Sequence, residues 1–319
     1  MAKRVVFFNG DFISEQEARV SIFDSALMFG DMAFEVTRTF AGKPYRLRRH
    51  LERLYASLRL LEIDCGMSID EMEEHSLATL ERNQVTEPAG MDWQIIHDVS
   101  RGPIPLYRSA FPEGLKPTVV INSWPILTHV APSATDYDLG VNLAIVPQQA
   151  MPAHLVDAKA KTRSRMHYRM AMLQGQRIGQ NTWPLMLDPD SYLAEGPGWN
   201  IFLVKDGALF TPQPRNILLG VSRDTTMTLA RKLGISVHEA NLGQYEALQA
   251  DEIFITSTPW CIMWATSFEG RTIGDGQPGP VYDKLLEAWK HEVGIDFVAQ
   301  AHDYAEQLPQ WEKRQQPDG

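Results

Sequence analysis

The residues whose types could do chemistry in this chain are few and scattered. Leu218-Leu219-Gly220-Val221-Ser222-Arg223 opens the helix-like run TTMTLARKLG. A glycine and a small hydroxyl residue at a helix start expose a nest of backbone N–H groups that suits a phosphate; an ordinary serine N-cap explains the same residues. Thr256-Ser257-Thr258 closes a strand-like segment, where hydroxyls either face a ligand crevice or form a turn. Arg46, Arg48, Arg49 and Arg53 make a basic cluster in which only one side chain need reach inward. Glu195 stands before Gly196-Pro197-Gly198, backbone that can approach a ligand closely or simply turn in water. Lys159 and Lys161 lie in DAKAKTRSRMHY, a charge-rich segment in which lysines are usually exposed. No metal-ligand spacing, Ser-His-Asp arrangement or dinucleotide-type glycine fingerprint competes with these.

These residues need elements to hold them. Alternation and turn residues predict strands at Val5–Asn9, Phe34–Phe40, Pro44–Leu47, Trp93–Val99 and Pro117–Asn122. Leucines at 51, 54, 58 and 61 predict a helix over Arg49–Leu61, and a Ser-Ile-Asp-Glu cap starts another at Ser68–Glu81. From Ser123 to Leu139 periodicity is lost, so the chain divides there: a smaller N-terminal α/β domain over 1–125, a connection over 126–138 and a larger C-terminal domain over 139–300. The second part alternates strands (Val141–Val146, Pro184–Leu187, Asn200–Val204, Ala208–Thr211, Ile235–Glu239, Glu252–Thr256) with helices (Met166–Ile178, Arg223–Leu233 closed by Gly234, Pro280–Lys290). Residues 301–319 read as a tail, polar and frayed from Trp311. The fold class is α/β (α+β).

Composition bounds the function. A 44% hydrophobic, 22% charged chain of 319 residues is a globular protein with a sizeable core. A net charge of −10 excludes a nucleic-acid partner better than it excludes a small phosphate. Cys65 and Cys261 lie far apart without metal-ligand spacing, as in a reducing compartment. Neither a signal-peptide stretch nor an apolar run of membrane-span length is present, so a cytoplasmic location without a membrane partner is expected.

Taken in order, FFNGDFISEQEARVSIFDSALMFGDMAFEVTRTFAGK, HLERL, DAKAK, LAEGPGWNIFLVKDGALFTP, LLGVSR and ADEIFITSTPW…IGDGQPGPV resemble the class IV aminotransferases, from about Phe7 to Pro280. That family includes branched-chain, D-amino acid and (R)-amine transaminases and aminodeoxychorismate lyase. The resemblance implies two α/β domains with the active site at their junction, pyridoxal 5'-phosphate as cofactor, no metal, and a homodimer whose second subunit completes the site. It implies Lys161 as the Schiff-base lysine, with Lys159 its rival in the segment. Glu195 would pair with the pyridinium nitrogen. Arg53, the nest at Val221 and Ser222, and Thr258 would hold the phosphate, and Leu218 would pack on the ring. The partners implied are an amino acid or amine donor and an α-keto acid acceptor; the alternative outcome is a lyase releasing pyruvate.

The chemistry accounts for these types. Removal of the donor's Cα proton leaves charge that the cofactor ring absorbs, and a carboxylate keeps the ring nitrogen protonated. A lysine freed by the substrate can shuttle the proton if its basicity is lowered.

The pattern also departs from the family. Five residues after the lysine, where branched-chain enzymes carry a tyrosine that bonds the cofactor's phenolic oxygen, stands Met166; either Tyr168, two positions later, binds the cofactor there through a local shift, or that contact is missing. Phe34 and Arg38 on the pocket strand look branched-chain-like, whereas Phe29, Asp31 and Val36 look more like D-amino acid enzymes. After Thr258 the family offers consecutive backbone N–H groups to the substrate carboxylate, but Pro259 has none and Trp260 is bulky. Arg38, and Arg108 on the loop Pro103–Phe111, are the expected replacements.

Overall fold

The computed structural model describes residues Arg4 to Gln315, which form two compact units. The first unit runs to Ile126 and takes in Ala160–Arg165; the second holds Leu127–Lys159 and the chain from Met166 onward. Ala160–Arg165 therefore belongs with the N-terminal part of the chain, which no feature of the segment itself announces. The two sheets make this a mixed α/β protein.

In the first unit β1 (Val5–Phe8), β2 (Asp11–Ser14), α1 (Ser25–Phe29), β3 (Met32–Phe40), β4 (Lys43–Pro44), α2 (Leu47–Leu60), α3 (Ile69–Gln84), β5 (Trp93–Ser100) and β6 (Thr118–Pro125) follow in order. The sheet order is β2-β1-β6-β5-β3-β4, with antiparallel neighbours throughout. Alternation along β3 gives one face to Glu35, Thr37 and Thr39 and the other to Phe34, Val36, Arg38 and Phe40. Helix α2 packs on this strand and buries Leu51, Leu54 and Leu58 at helical spacing. Ser68 caps α3 reciprocally with Glu71, as its sequence predicts. The expected strand Pro44–Leu47 is reduced to the Lys43–Pro44 pair, because Arg46 turns left-handed (φ 53°) and starts α2 at Leu47.

The second unit contains α4 (Leu127–Val130), α5 (Asp136–Leu139), β7 (Val141–Ile145), α6 (Met166–Ile178), β8 (Thr182–Leu185), β9 (Glu195–Gly196), β10 (Trp199–Lys205), β11 (Ala208–Pro212), α7 (Val221–Lys232), β12 (Val237–Ala240), α8 (Gln244–Leu248), β13 (Glu252–Ser257), β14 (Cys261–Phe268), β15 (Arg271–Thr272), α9 (Pro280–Val293) and α10 (Phe297–Gln315). Its sheet runs β12-β11-β10-β13-β14-β7-β8, with β9 beside β10 and β15 beside β14. The supposed connection after Pro125 is short helical turns, and α4 packs against α10. The tail expected to fray is that helix, with Trp311 buried; residues 316–319 lie outside the described ones. Among the described residues no helix is long and apolar enough to cross a membrane.

Candidate active site

Lys161 is held by backbone pairing. Along the start of β3, Phe34 N–H donates to the Lys161 carbonyl and Arg163 N–H to the Met32 carbonyl, each at 2.9 Å, with Thr162 facing Ala33. This antiparallel pattern sets Lys161 opposite Phe34 and Arg163 opposite Met32 on one face. Lys161 N–H also donates to Ser57 Oγ of α2 at 3.0 Å, and its Nζ stands 4.6 Å from the Phe34 ring centre. Lys159 is exposed, with its ammonium 3.5 Å from Asp157. The segment thus offers one ordered amine and one solvated one.

On the other face of β3, Arg53 makes a two-pronged contact with Glu35: Nε donates to Oε2 at 2.8 Å and an Nη to Oε1 at 2.7 Å. Glu35 also accepts from Val36 N–H and meets His50 Nδ1 at 3.1 Å. Burial pushes the Glu35 carboxyl up, but the charges of Arg53 and His50 and their hydrogen bonds outweigh it and hold it well below the usual range. A carboxylate so satisfied fixes the planar guanidinium in one orientation. Among the four clustered arginines, Arg48 reaches Asp70 and Glu73, Arg49 pairs with Glu52, and Arg46 lies over Tyr45. Arg53 is the one that reaches inward.

The second unit assembles the other predicted residues. Glu195, buried on β9, accepts at Oε2 from Leu218 N–H (2.9 Å) and Asn200 Nδ2 (3.2 Å), and at Oε1 from the Tyr168 hydroxyl at 2.5 Å. Asn200 also donates to the Leu218 carbonyl, tying β10 to the loop before α7. Tyr168 lies in the first turn of α6, whereas Met166 is exposed. The N-cap of α7 is Gly220, and no side chain caps it. Ser222 sits inside the helix, so the serine N-cap reading does not hold. A Cβ at Gly220 would fall 2.2 Å from Asn200 Oδ1, so only glycine lets this helix start against β10. Val221 and Ser222 are its first two residues. Thr256 Oγ1 and Ser257 Oγ are buried without a hydrogen-bond partner among the described residues, and Thr258 begins the three-residue loop joining β13 to β14. Gly196 has a different reason from the one expected: its missing side chain makes room for the Trp199 indole.

Of the substrate candidates, Phe34 is buried beside Lys161. Arg38 is buried with its guanidinium carbon 4.4 Å from the Phe40 ring centre, and Arg108 is exposed on a 3₁₀ turn, Pro105–Ala110. Sequence reasoning passes over Asn200, whose only signal is a polar residue in an apolar strand. It also passes over Arg163 and Arg165. Their i, i+2 spacing from Lys161 is strand-like and can be seen in KTRSR.

Within the second unit, a buried carboxylate that accepts from Tyr168, Asn200 and Leu218 and an uncapped helix start suit an anionic, nitrogen-containing ring compound; the first unit holds an ordered lysine. The model of the amino-transferase class IV family matches residues 32–268. A Methanocaldococcus jannaschii protein provisionally named a branched-chain-amino-acid aminotransferase is 33% identical over 286 residues, covering 89% of this chain and 95% of that one. The crystal structure of the Escherichia coli branched-chain amino acid aminotransferase superposes with a TM-score of 0.79 at 28% identity, covering 91% of this chain and 94% of that one. The branched-chain aminotransferase of the archaeon Thermoproteus uzoniensis, solved with norvaline, gives 0.79 at 26% identity, covering 95% and 97%.

Proposed function

Because this chain belongs to the class IV aminotransferase family, we propose that it moves an amino group between an aliphatic, branched-chain-type amino acid and an α-keto acid. It is an aminotransferase, and its cofactor is pyridoxal 5'-phosphate. The observation that carries the reading is Glu195, a buried carboxylate that accepts from three neutral donors. A carboxylate in that state favours a protonated ring nitrogen facing it. The residues fit the group in other respects. The uncapped start of α7 and the Thr256 hydroxyl, buried without a partner among the described residues, match the needs of a phosphate together with Thr258. Arg53 adds a fixed guanidinium, and Leu218 an apolar side chain for the ring.

When bound, the pyridoxal group supplies a carbonyl carbon for the donor's amine and a ring that takes up the electron pair released at Cα. The chain supplies the rest. Lys161 Nζ would anchor the group, and as a free amine would be the base that moves the proton from the donor's Cα. Its backbone, fixed by Phe34 and Ser57, limits where that nitrogen can go, so geometry contributes to the rate. Glu195 would keep the ring nitrogen protonated. Phe34 and Val36 present an apolar strand face to an aliphatic donor side chain, and Arg38 and Arg108 are candidates for a distal acidic group.

A homodimer is part of the proposal, supported by exposed Ile22, Leu27, Phe29 and Leu106, an apolar set on one unit. Two buried, unbridged cysteines support a cytoplasmic location. The relatives are named as transaminases, so the lyase outcome is set aside. Spectral half-reactions against L-amino acids, D-amino acids and (R)- and (S)-amines test the reading. Leucine, isoleucine or valine should convert the cofactor to its amine form fastest. A protein that returns the cofactor unchanged with every donor is not a transaminase of this kind.

A further inference from the structure

Three cationic side chains surround one buried aromatic ring. Lys161 Nζ, Arg163 Cζ and Arg165 Cζ stand 4.6, 3.9 and 4.5 Å from the centre of Phe34. The segment that carries them is rigidly placed. It pairs with β3 through Phe34 and Met32; Arg165 N–H donates to the Arg163 carbonyl at 2.7 Å, and Ser164 Oγ donates to the Phe29 carbonyl. Like charges gathered around one ring repel one another and favour an anion beside them. Asp98 lies against one of them, accepting from Arg163 at 2.7 and 3.2 Å. The gathering is local, for the chain as a whole carries a formal charge of −10.

We propose that Arg165, steadied beside Arg163 over Phe34, binds the carboxylate of the amino acid or keto acid whose nitrogen or carbonyl reacts next to Lys161. The proposal rests on the transaminase reading above. In such a substrate the carboxylate and the reacting nitrogen are attached to the same carbon, so the carboxylate partner must lie near the lysine amine. Arg165 meets that condition through the shared ring. Arg38 lies four residues beyond Phe34, about 13 Å along the strand at about 3.3 Å per residue, and its guanidinium leans on Phe40, farther still. Arg108 is on an exposed turn. A guanidinium can hold a carboxylate by two parallel hydrogen bonds while its face stays on an aromatic ring.

An oxyanion near Lys161 could be a substrate carboxylate or the cofactor's phosphate, and the test separates them. Holoenzyme is titrated with 4-methylpentanoate, a carboxylate that cannot react, and apoenzyme is titrated with pyridoxal 5'-phosphate. Arg165→Ala should raise the Kd for 4-methylpentanoate by roughly ten- to a hundredfold, and lower the preference for leucine over 3-methylbutylamine by a similar factor. Arg165→Lys, which keeps the charge but not the fork, should recover part of both, and it replaces the alanine variant if that one folds poorly. An unchanged carboxylate Kd in both variants overturns the proposal. A weakened cofactor with unchanged carboxylate binding also overturns it, and makes Arg165 a phosphate residue. If the unaltered enzyme converts no amino acid at all, the transaminase reading fails first; an active enzyme insensitive to Arg165 fails only this inference.

Discussion

The Tyr168 hydroxyl donates to Glu195 Oε1 at 2.5 Å, within the range of a charge-assisted O–H···O⁻ bond. Seven residues after Lys161 and in the first turn of α6, this tyrosine packs against the second unit's apolar cluster of Val146, Ala150, Ala171, Met186, Ala194 and Ile217 and directs its proton at the carboxylate. In this geometry Tyr168 acts on Glu195, the carboxylate proposed to face the cofactor's ring nitrogen.

Tyr168→Phe should therefore act through Glu195. Removing the hydroxyl takes a charge-assisted hydrogen bond from a buried carboxylate, at a cost of about 1–3 kcal/mol. Glu195→Gln should slow the proton-transfer half-reaction by roughly 3–4 kcal/mol in the barrier. The check is a double-mutant cycle on the thermal stability of the apoenzyme and on the half-reaction rate. Coupling is expected in both; strictly additive effects would show that the hydroxyl works elsewhere, for instance on the cofactor's phenolic oxygen.

Lys161→Ala should abolish turnover and leave the fold, since the pairing that fixes this segment is made by backbone atoms. Borohydride reduction followed by peptide mass spectrometry should place the cofactor on Lys161 in the unaltered enzyme and find no adduct in the variant. Lys159→Ala, which loses an exposed contact with Asp157, should keep the adduct. An adduct on Lys159 reverses the assignment.

Much of this site is legible without the fold, because helix starts, strand ends and glycines announce themselves locally. Helix α6 begins and ends where periodicity places it, and Gly220 marks a helix start. What escapes a reading of the sequence depends on residues distant along the chain. Arg165 looks like a solvated cation in DAKAKTRSR until pairing with β3 brings it to Phe34. Strand β14 escapes because both its faces are buried, which erases alternation. Helix α10 escapes because Pro309 and a polar sequence conceal it, and its burial of Trp311 is a tertiary fact.

Acid should destabilise the first unit well before ordinary carboxylates titrate. His97 on β5 is buried, with Nε2 2.7 Å from Ser76 Oγ of α3 and no hydrogen-bond partner for Nδ1 among the described residues. Burial lowers its pKa from 6.5 to about 4, and burial likewise lowers that of His50. For a histidine whose folded pKa is depressed, the unfolded chain takes up the proton first. Stability is therefore full above about pH 6.5 and falls as pH drops toward 4. For His97 the loss over that window is on the order of 3 kcal/mol. Glu35, depressed by Arg53 and His50, adds a further loss at the acid end, below its ordinary pKa of 4.5. Thermal melts from pH 7.5 to 4.5 should show this decline, and His97→Gln should flatten it. A flat profile for the unaltered protein would mean that His97 can charge in place.

At the loop Thr258-Pro259-Trp260 this chain lacks a backbone donor, the Pro259 N–H, where its resemblance to the family implies one. The loop joins β13 to β14 across the pair Ser257–Cys261, and Cys261 is buried with φ 59°. A left-handed conformation at a non-glycine residue costs on the order of 1–3 kcal/mol and persists only where its surroundings enforce it. The Trp260 carbonyl is pinned by the Tyr137 hydroxyl at 2.7 Å, and its indole packs against Trp183 and His129. Trp260 thus anchors the loop through its carbonyl and its ring, and Pro259→Ala should keep the loop's shape while restoring one backbone N–H. If the substrate carboxylate meets this loop, the variant should bind 4-methylpentanoate several-fold more tightly, in line with about 0.5–1.5 kcal/mol for a net hydrogen bond. In an Arg165→Ala background the same change should restore part of the lost affinity. Titration of the four proteins decides it: no gain from Pro259→Ala in either background would show that the carboxylate does not lie against this loop, and that the proline has no bearing on substrate choice.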